Sequence, residues 1–111
     1  MRMIYRTCAS ALAAVVLLVF SVQAIAGNPA RGQQISITCH ACHGEDGNLV
    51  IAEDYPIIAG QHFDYLVHAL RAYRDGGRDH AVMSSFARDL TDQDIRDLAA
   101  WYSRQRGPLG P

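Results

Sequence analysis

The chain has 111 residues, with 10 basic and 11 acidic side chains and a formal net charge of −1. That length allows one domain and no more. All the basic residues are Arg, and the mild acidity excludes the basic footprint of a nucleic-acid binder and gives no hint of an anionic-membrane ligand.

The first segment reads as an address rather than as part of that domain. Arg2 and Arg6 precede an apolar run from Ala9 to Val22, and the run ends in Ala24-Ile25-Ala26-Gly27. A basic start, a short apolar middle and small residues at the cut describe a secretory signal peptide, so residues 1–26 are expected to be removed. An uncleaved membrane anchor is the alternative, because the run approaches spanning length. Cys8 lies before the run and is therefore not a lipoprotein cysteine, which would follow it.

The domain is expected over residues 27–111, where loss of Arg2 and Arg6 leaves 8 basic against 11 acidic residues, a net of −3. A chain this short hides only about two-thirds of its unfolded surface, so a staple or cofactor helps it fold. Two cysteines remain in it, Cys39 and Cys42. Export favours oxidation, yet a two-residue gap is very short for a structural disulfide.

Asn28-Pro29 predicts a helix start, an N-cap followed by proline at the first helical position. This helix would run towards Cys39, although Ile35-Ser36-Ile37-Thr38 would also suit a strand. A second helix follows from Phe63, Leu66, Val67, Leu70 and Tyr73 at helical spacing, closed by Asp75-Gly76-Gly77. The third opens on Thr91-Asp92-Gln93-Asp94, a capping box with Asp in place of Glu. Ile95, Leu98, Ala99 and Tyr102 carry its apolar face, Trp101 broadens it, and Gly107-Pro108 stops it. No segment after Thr38 reads as a strand, so the expected class is all-α.

Cys39-His40-Ala41-Cys42-His43 is the C-x-x-C-H pattern of covalent c-type haem attachment. Two cysteines three apart on a helical turn project from one side, so both sulfurs can reach the vinyl groups of one haem edge. His43 can then bring its imidazole to the iron as an axial ligand. Gly44 lets the chain turn away without a side chain striking the porphyrin. A thioredoxin-like pair would need a β/α pattern that is missing, and a zinc site would need a second Cys/His pair at a usual spacing.

With these residues the chain resembles the class I c-type cytochromes, in particular the small bacterial members and one half of the bacterial dihaem cytochromes c. The likeness spans essentially residues 27–106. Beyond Cys39–Gly44 it rests on Pro56-Ile57-Ile58-Ala59-Gly60-Gln61 with Tyr65-Leu66, on Gly77-Arg78 ahead of Met83, and on Leu90 to Ile95 leading into Leu98-Ala99-Ala100-Trp101. The resemblance implies three main helices wrapped around one haem c, held by thioethers to Cys39 and Cys42. It also implies His43 and Met83 as axial ligands, a Pro56 carbonyl that accepts from His43, and a His40 that points away from the haem face.

Met83 is the one methionine in residues 27–111, and it lies between the second and third helices. Ordinary packing is the other use of such a residue. His62, His68 and His80 are rival ligands; His68 falls opposite the apolar stripe of its helix. Arg78 either meets a haem propionate or is a solvated loop residue. Gly32 and Ile35 are expected to meet Trp101 where the terminal helices cross.

The function expected from this is periplasmic one-electron transfer with unknown redox partner proteins, with no catalysis, no nucleic acid and no stable membrane insertion once the leader is cut. One alternative is a cytochrome subunit of a larger dehydrogenase or oxidase. Another is a gas-binding or peroxidase-like haem protein, should Met83 not ligate.

Overall fold

A computed structural model describes residues 26–110. The leader expected over residues 1–26 lies outside them, except for Ala26. Among the described residues every regular element is helical, and the only ladder contact is an isolated Gly107–Gly110 bridge.

Helix α1 spans Pro29–Ile35, with Pro at its start and the Asn28 side chain accepting from the Ala30 and Arg31 amides at 3.0 and 3.2 Å. The ambiguous stretch after it is neither strand nor continued α-helix. Ser36–Cys39 tightens into a 3-10 turn, and α2, His40–His43, follows directly. The Ser36 hydroxyl donates back to the Gln33 carbonyl at 2.8 Å, a local bond that competes with α-helical pairing. Gly44 ends α2 at φ 79°, a conformation that glycine takes without the steric cost of a Cβ.

Helix α3, Phe63–Asp75, and helix α5, Asp92–Tyr102, lie where the apolar stripes place them. At α5 the capping box is complete: Asp94 N donates to Thr91 Oγ1 at 3.0 Å, and Thr91 N donates to Asp94 Oδ2 at 2.9 Å. Between α3 and α5 the structure adds an element that the sequence reading leaves as a connecting segment. This is α4, Ala81–Ala87, and it carries Met83.

Helix α1 packs on α5, and α3 packs on both α5 and α4. Leu66, Leu98, Ala99 and Tyr102 form the buried centre, flanked by Ile35, Cys39, Ile58 and Phe63. The α1–α5 crossing is tight because Gly32 has no side chain: a Cβ there would overlap the Asp97 carbonyl oxygen and sit 2.9 Å from Trp101 Cβ. Beside it, the fully buried Asp97 carboxylate accepts from Asn28 N at 2.6 Å, Arg31 Nη1 at 2.6 Å and Gln93 Nε2 at 2.7 Å. Burial alone would raise its pKa, but these three donors outweigh that and hold it below the usual carboxylate range. The terminal helices are thereby pinned together, which sets the floor beneath the region between α2, α3 and α4.

Candidate functional site

That region is a cavity with about 980 Å³ of empty space, its open mouth included. Cys39 and His43 contribute to its lining from the motif, Leu66 and Leu70 from α3, Met83 from α4 and Leu98 from α5. Three of the four residues singled out in the sequence, Cys39, His43 and Met83, therefore share one wall-to-wall space. Cys42 sits half-buried on α2, three residues after Cys39, and is not part of that lining.

His43 is buried, and its Nδ1 lies 3.0 Å from the Pro56 carbonyl oxygen. A carbonyl only accepts, so Nδ1 carries the proton and donates, and the Nε2 lone pair is left free. Desolvation lowers the imidazole's pKa, with the Pro56 bond opposing it, so the neutral, ligating form prevails at pH 7. A histidine oriented through its second nitrogen is the arrangement that metal ligation favours. Pro56 belongs to a loop that Gly47 ties down, its carbonyl accepting from Ile58 N at 2.9 Å and Ala59 N at 3.1 Å.

Neither motif cysteine is in a disulfide. Burial pushes the Cys39 thiol up, so it is held as a neutral thiol in an apolar wall. Two unbridged thiols beside a tautomer-fixed histidine and a large apolar cavity fit the demands of a covalently attached haem. Cys39 and Cys42 would hold its edge, with His43 and Met83 at the iron.

The three rival histidines are placed differently. His62 and His68 are exposed and do not line the cavity. His80 does line it, but both of its ring nitrogens face other groups. Its Nδ1 accepts from Met83 N at 3.3 Å, and its Nε2 lies 3.5 Å from Asp54 Oδ2. His40 turns to Ser36 Oγ at 3.0 Å and lies off the cavity wall.

Arg78 also lines the cavity and is engaged rather than free. Its guanidinium lies 5.6 Å from the ring centres of both Tyr65 and Tyr73, and it donates to Tyr65 Oη at 3.1 Å. Cation–π contact with both rings holds this charge against the cavity wall. Sequence reasoning missed this clamp and the His80 contacts. Tyr65 and Tyr73 lie eight positions apart on α3, and only the turn back after Gly76 lays Arg78 across them.

The general cytochrome c family model matches residues 29–103. Cytochrome c-554(548) of Halomonas halodenitrificans is 46% identical over 83 residues, covering 72% of this chain and 99% of its own. Cytochrome c4 of Pseudomonas aeruginosa is 39% identical over 85 residues, covering 77% of this chain and 42% of its own. The structure of reduced recombinant cytochrome c4 from Pseudomonas stutzeri aligns at a TM-score of 0.69 with 37% identity, covering 74% of this chain and 47% of that one. The chain thus spans about half the length of these cytochrome c4 relatives.

Proposed function

The chain belongs to the cytochrome c family, and from that premise we propose that it is a periplasmic one-electron carrier with a single haem c. Its haem is attached through Cys39 and Cys42, and its iron is ligated by His43 and Met83. When bound, the haem supplies a ferric/ferrous couple. The chain's own residues do the rest. His43 presents Nε2 because Pro56 holds Nδ1, and Leu66, Leu70 and Leu98 keep water from the ligands. Met83 offers a soft thioether that favours the ferrous state and raises the potential relative to a second histidine.

The observation that carries this reading is the shared cavity of Cys39, His43 and Met83, combined with a His80 whose Nδ1 already accepts from the Met83 amide. Among the described residues no helix is long and apolar enough to cross a membrane. The leader pattern over residues 1–26 supports export, which the covalent haem chemistry of two reduced cysteines accompanies.

The test is the protein purified from the periplasm. It should carry one covalently bound haem by mass, titrate as a single one-electron couple, and show the weak long-wavelength sulfur-to-iron band in its ferric form. Met83→Ala should abolish that band and lower the potential. Two titratable thiols, or a wild-type band in Met83→Ala, would contradict the proposal. A second reading, a subunit of a larger oxidoreductase, is favoured by the exposed apolar run Leu49, Val50 and Ile51, at 41, 56 and 52% exposure. Recovery only within a stable complex would select it.

A further inference from the structure

We infer that His80 is a positioning residue for Met83, acting as the side-chain N-cap of the short helix that carries it. The inference rests on the Met83 ligation proposed above. Helix α4 has seven residues, too few to be stable alone, so its existence depends on its ends and its packing. His80 stands at the N-cap in extended geometry, φ −150° and ψ 118°, and its Nδ1 accepts from Met83 N at 3.3 Å. Met83 occupies the third helical position, whose amide has no partner inside the helix. The backbone of the proposed ligand is therefore held directly by the His80 ring. The bond is answered from the other side, where His80 N donates to Ser84 Oγ at 3.3 Å.

The His80 ring is itself held. Asp54 Oδ2 lies 3.5 Å from Nε2, and the Tyr55 ring meets it edge-on at 6.3 Å and 84°. An accepting Nδ1 places the ring proton on Nε2, the nitrogen that faces the Asp54 carboxylate. Asp54 and Tyr55 immediately precede Pro56, whose carbonyl orients His43. One three-residue stretch of loop thus bears on both proposed axial ligands, on His43 through a carbonyl and on Met83 through the His80 ring. Asp54 is largely exposed, so its contact contributes less than the cap itself.

The experiment compares ferric holoprotein of wild type, His80→Ala and His80→Asn. Asn is a strong N-cap without an imidazole. Three readouts are taken: the intensity of the sulfur-to-iron band, the apparent affinity for added imidazole as a competitor of Met83, and the denaturation midpoint. Loss of a typical cap corresponds to about a fivefold shift in a local equilibrium. His80→Ala should therefore bind imidazole about fivefold more tightly and weaken the band, and His80→Asn should restore both towards wild type. A wild-type band and imidazole affinity in His80→Ala overturns the inference, whatever happens to the midpoint. So does an Asn variant whose band is weakened and whose imidazole affinity is raised about fivefold over wild type, and this arm stands even if His80→Ala does not fold. A wild-type protein with no sulfur-to-iron band overturns the Met83 reading first, and the inference with it.

Discussion

Replacing Gly32 by Ala adds one methyl group at the tightest point of the fold. Its Cβ would overlap the Asp97 carbonyl oxygen and lie 2.9 Å from Trp101 Cβ, so neither neighbour is the yielding tip of a flexible chain. Ordinary carbon–oxygen contact then requires α1 and α5 to separate by about 1 Å. Overpacking of this kind costs about 1–3 kcal/mol. Separation also stretches the 2.6 Å bonds from Asn28 N and Arg31 to Asp97, and weakening bonds to a charged acceptor adds about 1–2 kcal/mol. The better helix propensity of Ala returns up to about 1 kcal/mol. The net expectation is a loss of about 1–5 kcal/mol, a large part of the stability of a domain this size. For such a domain, each kcal/mol shifts the melting point by about 4–8 °C. Thermal and denaturant unfolding of the holoprotein, followed by far-ultraviolet dichroism, should show a fall of about 4–40 °C with unchanged haem content at low temperature. A midpoint within about 3 °C of wild type would refute the idea that this crossing depends on glycine.

The Asp97 carboxylate is held below its ordinary pKa, so its contribution is fully present above the unfolded carboxylate value and is lost as pH falls through the lower folded one. Asp97→Asn should therefore be less stable than wild type at pH 7, by about 2 kcal/mol given that Arg31 remains partly solvated. The gap should begin to narrow in denaturation curves below about pH 4 and shrink further as pH falls; a gap independent of pH would contradict the charge account. Cys42→Ala should retain haem through Cys39 alone, giving a one-thioether adduct by mass and a red-shifted reduced band; unaltered spectra would show that Cys42 is not an attachment point.

The two long helices were legible because each repeats apolar residues at helical spacing between clear punctuation. Phe63 to Tyr73 ends at Asp75-Gly76, and Ile95 to Tyr102 starts from a Thr91–Asp94 box that closes as its residue types demand. The haem motif was legible because C-x-x-C-H is local. Helix α4 was not. Ala81-Val82-Met83-Ser84-Ser85-Phe86-Ala87 is too short to show a stripe, and its cap is an imidazole rather than the Ser, Thr, Asp or Asn that marks a helix start. The break at Ser36 was only half legible, since β-branched neighbours signal reluctance to be α-helical without saying what replaces it. The Asp97 network joins residues more than sixty positions apart, and no periodicity encodes such a pairing. Gly32 and Trp101 were expected at the helix crossing, and they meet there.

The central proposal is that His43 and Met83 would both hold the haem iron and leave it no open position, so that the protein exchanges electrons and binds nothing else there. An absorption spectrum of the reduced holoprotein at neutral pH, taken before and after saturation with carbon monoxide, tests it most directly. The account predicts superimposable spectra. Stoichiometric carbon monoxide binding by the native protein would contradict it and select the gas-binding or peroxidase-like alternative.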